Sequence, residues 1–162
     1  MNKRTVSFLF SVILLILGYF FYQHPGNFPQ SITGATTVQS QGAVVERVID
    51  GDTLVLTNQE HIRLLGINTP EKGMPYAAEA GERLRALTEG KTVQLGKDKT
   101  DKDKYGRSLR YIFVNGTFIN QIMVREGWAV PFLLESSPLH AQEITAARTK
   151  CLEEELRLCK NA

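Results

Sequence analysis

The strongest constraint on this chain is the way short β-branched segments are cut apart by turn residues. Residues 43–49 (AVVERVI) and 53–57 (TLVLT) are separated only by Asp50-Gly51-Asp52, a hairpin signal because Asp and Gly accept the backbone angles of a tight reversal. Residues 62–67 (IRLLGI) supply a third strand, with Asn58 and Gln59 in the turn before it. The period then changes from two to 3.6: within residues 77–88, Ala80, Leu84 and Leu87 share one helical face, and Gly90 follows as a stop. Residues 92–95 (TVQL) and 108–114 (SLRYIFV) add two strands, the second ending at the turn dipeptide Asn115-Gly116. Residues 119–126, stopped by Gly127, predict a short helix, and 140 to about 156 a longer one, polar on most sides.

Three strands, a helix, two strands and further helices are the order of a small barrel with a helix inserted after its third strand. The expected class is therefore α+β with a mostly β core, a five-stranded OB-fold barrel with about three helices over residues 43–162. A chain of 162 residues suits one such domain. Ahead of it, Lys3 and Arg4 precede an uncharged apolar run at residues 6–22, at the short end of what crosses a bilayer and just beyond the usual core of a cleavable signal. No small-x-small cleavage pattern follows, since Gln23-His24-Pro25 comes next. Residues 1–23 are thus expected to be an uncleaved membrane-spanning signal anchor. The basic end would stay cytoplasmic and the domain would lie outside, with secretion after cleavage as the alternative. Residues 24–42, uncharged and rich in Pro, Gly, Ser, Thr and Gln, read as a flexible tether.

Lys3 and Arg4 also account for the whole formal surplus of +2, because all acidic residues lie from Glu46 onward. A domain without net charge must hold any polyanion through local groups rather than an overall field. Asp50 and Asp52 sit at the first hairpin, and Asn68-Thr69-Pro70-Glu71 adds an amide and a third carboxylate past a strand end. Hard oxygen donors of this kind suit Ca²⁺ or Mg²⁺ rather than zinc, although Asp50, Asp52 and Asn68, each taken singly, are better explained as turn formers. Arg63, inside an apolar strand, and Arg107, opening the fifth strand, suggest a guanidinium clamp on phosphate, the alternative being ion pairs. With Glu71 as a base, this set meets the needs of phosphodiester hydrolysis without a Ser, Cys or His nucleophile.

The segments VIDGDT (48–53), RLLGINTPE (63–71) and DKYGRSLRY (103–111) resemble, in order and spacing, the signature segments of the thermonucleases, and the likeness runs over roughly residues 43–132. The resemblance implies an OB-fold endonuclease that uses Ca²⁺ to cleave DNA and RNA, with single strands preferred, and leaves 3′-phosphate ends. It implies Asp52, Asn68 and the Thr69 carbonyl as metal ligands, and Glu71 as general base or water-positioning group. It further implies Arg63 and Arg107 on the scissile phosphate, and Lys104 and Tyr105 on a terminal phosphate. Asn68 departs from the family, whose best-known member has an aspartate there, so calcium is expected to bind more weakly or another divalent ion to serve better. Phe132 and Trp128 stand near positions where relatives carry stacking tyrosines, with a core role equally open.

The stretch 97–110 holds six Lys or Arg against three Asp, the clearest local basic surplus, read as a solvated loop with internal ion pairs beside Arg107. Cys151 and Cys159 would be roughly 12 Å apart on a continuous helix. They either pair through a fold-back near Glu155 or remain free thiols or bridge chains. His24, His61 and His140 are scattered and read as structural or surface groups, and Asn115-Gly116-Thr117 reads as a turn rather than a glycosylation site. No obligate protein partner is expected. The competing function is a non-catalytic OB-fold module that binds single-stranded nucleic acid or a protein, for which the set Asp52, Arg63, Glu71 and Arg107 would be superfluous.

Overall fold

The structure is a computed structural model that describes residues 42–133 and 139–160; the expected anchor and all but the last residue of the tether lie outside them. Five strands close a barrel: β1 (Ala43–Asp50), β2 (Thr53–Leu56), β3 (His61–Leu64), β5 (Thr92–Gly96) and β6 (Ser108–Val114). β1, β2 and β3 form an antiparallel meander, β3 then lies parallel to β6, and β5 completes the ring between β6 and β1. The register of β1 shifts twice, between Val45 and Arg47 and between Val48 and Asp50. Such bulges bend a strand, which lets β1 pair with β2 along its length and with β5 at Ala43 and Val44.

The meander, the five barrel strands and the three helices α1 (Ala77–Thr88), α2 (Ile119–Arg125) and α3 (Ala141–Glu153) follow the pattern of the chain. β2 is buried throughout, and Leu54, Ile62, Leu64, Tyr111 and Ile112 fill the interior. α1 buries Ala80 and Leu84, and α3 buries Ile144, Ala147 and Cys151, a stripe at helical spacing on an otherwise polar helix.

The third strand ends at Leu64, three residues short of the expected Ile67. Arg63 is the cause: its Nη1 donates to the carbonyls of Leu64 at 2.8 Å and Ile67 at 3.0 Å, turning both toward the guanidinium and bending the chain. Beyond this turn, a two-residue strand β4 (Ile67–Asn68) pairs with β8 (Val130–Pro131). A short β7 (Thr117–Phe118) returns from β6 across Asn115 and Gly116, both at positive φ, so the sequon is a hairpin turn. His140 lies among Tyr111, Phe113 and Phe118, and His61 is exposed.

Fully buried Asn120 fastens α2 to the barrel. Its Oδ1 accepts the Ile112 N–H at 2.9 Å and its Nδ2 donates to the Leu65 carbonyl at 2.8 Å, beside the β3–β4 turn. An Asn120→Leu change strands both main-chain groups, so denaturant unfolding is expected to show a loss of about 2–4 kcal/mol. A loss below about 0.5 kcal/mol would mean the two groups find other partners.

α3 stops at Glu153, Glu155 takes a left-handed φ of 49°, and the chain folds back into a 3-10 turn at Arg157–Cys159. Cys159 thereby reaches Cys151, and the two form a disulfide with Cα atoms 5.8 Å apart. The alternatives of free thiols and an interchain bridge are settled in favour of this internal closure. The turn rests on Gly127, where a Cβ would lie 2.6 Å from the Leu156 carbonyl oxygen and where φ is +75°. The Leu158 N–H donates to the Gly127 carbonyl at 3.2 Å, and Arg157 Nη1 donates to the Glu126 carbonyl at 2.8 Å.

Candidate active site

An open cleft of about 640 Å³ gathers Asp52, Arg63, Asn68, Thr69, Glu71 and Arg107, six of the eight expected site residues, with Asp50, Lys72, Glu82 and Arg85 also on its walls. The first hairpin supplies Asp52, only 6% exposed. Its N–H donates to Asp50 Oδ1 at 3.0 Å, so Asp50, read from sequence as a turn former, also orients the ligand candidate.

Asp52 Oδ2 accepts from the Thr69 N–H at 3.1 Å, the Thr69 hydroxyl at 2.9 Å and Arg63 Nη2 at 3.1 Å. Among the described residues Oδ1 accepts only the Thr53 hydroxyl, at 3.1 Å. Burial raises the Asp52 carboxyl above its ordinary range, an effect that Arg63 opposes and Asp50 reinforces. The same burial lowers Arg63, against the attraction of Asp52 and with the repulsion of Arg107, yet a guanidinium stays charged. Two cations close enough to repel leave the cleft favourable for an anion between them.

Arg63 stands on β3 opposite Thr53 and beside Leu109 of β6. Its Nη2 bridges Asp52 and Asn68, donating to Asn68 Oδ1 at 2.9 Å, so the two proposed ligands approach each other through the guanidinium. With Nη1 on two carbonyls, the Arg63 fork is engaged by protein acceptors, and only its Nε–H lacks one among the described residues. Arg107 is aimed by a turn. Asp103 Oδ2 accepts its Nε at 2.7 Å, and Asp103 Oδ1 accepts the N–H groups of Tyr105 at 2.9 Å and Arg107 at 3.0 Å. Burial would raise Asp103, but these donors from Arg107 and Tyr105 outweigh it and hold the carboxyl low. Arg107 Nη1 donates to the Thr53 hydroxyl at 3.2 Å, and Nη2 has no acceptor among the described residues.

Glu71 is exposed on the cleft wall just beyond Pro70, and its carboxylate forms no hydrogen bond or ion pair among the described residues. Lys104 and Tyr105 line a second cavity of about 360 Å³, joined to the cleft through Arg63 and Arg107 and walled also by residues 64–67, Leu109 and Phe132. Tyr105 is 73% exposed and Phe132 56%. Trp128 instead packs partly buried against the core. In the basic stretch, Lys97 and Arg110 pair with Asp101 and Arg107 with Asp103, as internal ion pairs predict.

Asp52, Asn68 and the Thr69 carbonyl would supply oxygen donors alone, and the lightly used Oδ1 of the buried Asp52 carboxylate is a fitting place for a hard cation. Among the described residues no three His, Cys, Asp or Glu side chains converge as a metal cluster. The set therefore fits a loosely held ion completed by water and substrate oxygens. Neither Asp103 nor Thr53 stands out in the sequence. Asp103 is one acid in a mixed-charge run, and its spacing of four from Arg107 across Tyr105-Gly106 is the signal that marks it as a positioning group.

The profile of the family described as "Staphylococcal nuclease homologue" matches residues 61–159. The thermonuclease of Staphylococcus hyicus is 31% identical over 139 residues, covering 80% of this chain and 81% of that protein. The thermonuclease of Staphylococcus intermedius is 32% identical over the same length and shares. Endonuclease YncB of Bacillus subtilis is 37% identical over 95 residues, 52% of this chain and 45% of that protein.

Proposed function

This chain belongs to the staphylococcal nuclease homologue family and is a nuclease, and from that premise we propose that it is a calcium-dependent endonuclease that cleaves DNA and RNA to 3′-phosphate ends. The observation that carries this reading is the convergence of Asp52, Arg63, Glu71 and Arg107 on one open cleft. A phosphodiester between the guanidiniums meets the Nε–H of Arg63 and Nη2 of Arg107, donors without acceptors among the described residues. Glu71, on the cleft wall and without a partner among the described residues, removes a proton from the water that attacks phosphorus. The bond from phosphorus to the 5′-oxygen breaks, the phosphate stays on the 3′ side, and solvent protonates the leaving oxygen. Asp52, Asn68 and the Thr69 carbonyl would hold calcium, which when bound supplies positive charge against the developing negative charge of the phosphate. Lys104 holds a terminal phosphate beside the ring of Tyr105, whose centroid its Nζ approaches to 5.0 Å. Single strands suit the site, because bases free of a duplex can reach Tyr105 and Phe132.

The test is cleavage of an end-labelled single-stranded oligonucleotide by the full chain, with Ca²⁺ and with a chelator, scoring phosphatase-sensitive 3′ ends. Calcium-dependent cutting is expected; tight binding without cutting under any divalent ion would transfer the chain to the non-catalytic reading. Calcium should also be seen without turnover. At about 100 times its dissociation constant it is expected to stabilise the protein by about 2.7 kcal/mol, read as a rise in Tm. Asp52→Asn should remove most of that rise and Asn68→Asp should reach it at lower calcium; an unchanged calcium dependence in Asn68→Asp would remove Asn68 from the ligand set.

The proposal extends to location outside the cytoplasm, held by the apolar anchor at residues 1–23. The Cys151–Cys159 disulfide supports it, because such bonds persist in oxidising compartments. Recovery of the protein in the soluble cytoplasmic fraction would overturn it.

A further inference from the structure

A third hollow, a groove of about 460 Å³, continues from the active cleft past Glu71, and the two share Asn68, Thr69, Pro70 and Glu71. One wall is Met74, Pro75 and Tyr76, and the other is Arg157, Leu158 and Lys160 from the disulfide-closed turn. Met74 is 60% exposed, an apolar side chain left open beside the catalytic cleft. The Lys160 ammonium has no partner among the described residues. The Arg157 guanidinium lies 3.7 Å from the centroid of the Trp128 ring, which meets the Tyr76 ring edge to face at 6.5 Å. Trp128 is fixed in turn by donating to Glu126 Oε2 at 3.0 Å, and Glu126 is clamped by Arg83 at 2.6 and 2.7 Å. The cationic wall is thus built before any ligand arrives: disulfide, Gly127 contact and Arg157–Trp128 stack all hold it against the barrel.

Resting on the nuclease reading of the cleft, we propose that this groove is an additional substrate subsite that takes the polynucleotide strand continuing past the scissile phosphate on the Glu71 side. A backbone phosphate faces Arg157 and Lys160, and a base lies against Met74, Pro75 and Tyr76. Two features select this occupant. The groove is continuous with the cleft, so a strand held across the two arginines leads into it. Its lining pairs a thioether and an aromatic ring with two cations, the combination that accepts a base face together with its phosphate whatever the sequence. An apolar peptide would leave the Lys160 charge without a counterpart.

The test uses the full chain in chelator, where the strand stays intact, with fluorescein-labelled dT12 and dT3 as probes in fluorescence anisotropy. Lys160→Ala is expected to weaken dT12 roughly fivefold, and to reduce the salt slope of log K by about 0.7, the value of one phosphate contact on a single strand. Its effect on dT3, too short to span cleft and groove, should be under twofold. Met74→Ala, at an exposed position that does not threaten folding, should weaken dT12 several-fold with the salt slope unchanged. Lys150→Ala, at an exposed position of α3 that does not line the groove, controls for general charge. The proposal falls if Lys160→Ala behaves like Lys150→Ala, if dT3 weakens as much as dT12, or if Met74→Ala leaves dT12 binding intact. A protein that cuts DNA but binds dT12 independently of Lys160 and Met74 loses only the groove; one that never cuts yet shows the expected binding losses keeps it and loses only the nuclease reading.

Discussion

Glu71→Gln is expected to lower kcat on single-stranded DNA by about 10²- to 10⁴-fold, the range for loss of a positioned general base. The change keeps the shape of the side chain and removes only its ability to take a proton. Because the carboxylate is exposed and has no partner among the described residues, Tm should move by an amount equivalent to no more than about 0.5 kcal/mol. That separation gives the measurement its force: a large kinetic loss on an unchanged melting curve reports chemistry rather than folding. KM should stay near the parent value, since Glu71 is assigned to the water and not to the phosphate. Full activity in Glu71→Gln would end its role as the base and direct attention to another acceptor on the cleft wall.

Arg63→Met should damage both folding and catalysis, and the two losses can be told apart. The Arg63–Asp52 contact is buried on both sides, with side chains 12% and 9% exposed. Removing one partner of such a pair costs about 3–5 kcal/mol. The carbonyls of Leu64 and Ile67 lose their donor as well. In catalysis, loss of one cation on the developing phosphorane charge should lower kcat/KM by about 10²- to 10³-fold. The pH dependence has a definite sign. Burial already raises Asp52 above its ordinary value of 3.8, and without the opposing charge of Arg63 the folded-state value rises further. A carboxyl raised on folding binds more protons in the native state, so stability declines as pH rises from the unfolded value through the folded one. The Arg63→Met deficit, measured in chelator, should therefore be smallest in acid and grow toward neutrality. Adding Asp52→Asn to Arg63→Met should recover part of the stability and none of the activity. An equal deficit at all pH values would show that the stranded carbonyls, not the carboxylate, dominate the cost.

Much of this arrangement is legible in the sequence, because local pattern determines it. Alternation and turn chemistry around Asp50-Gly51 and Asn115-Gly116 place the barrel strands, and the stripe Ala80, Leu84 and Leu87 places α1. The meeting of six site residues in the cleft is what the resemblance to the thermonuclease segments implies. What stays illegible depends on long-range contact. The end of β3 at Leu64 follows from where the Arg63 guanidinium finds acceptors, which no period encodes. Lys104 and Tyr105 lie in an adjoining cavity because the Asp103 turn carries them past Arg107. The pairing of Cys151 with Cys159 stays open from spacing alone, since it depends on a helix ending between them. Arg157 and Lys160 carry no motif at all, and only the folded chain brings them beside Glu71.

The Thr53 hydroxyl sits between Arg107 Nη1, at 3.2 Å, and Asp52 Oδ1, at 3.1 Å. Arginine can only donate and a carboxylate can only accept, so the single hydroxyl proton has one direction open to it. Thr53 is thus a rotor with no second setting, a one-way link between the positive and the negative pole of the cleft. Neither pole can be re-aimed alone: swinging the guanidinium or drawing away the carboxylate oxygen pulls on the same small group, and a shift at one is registered at the other.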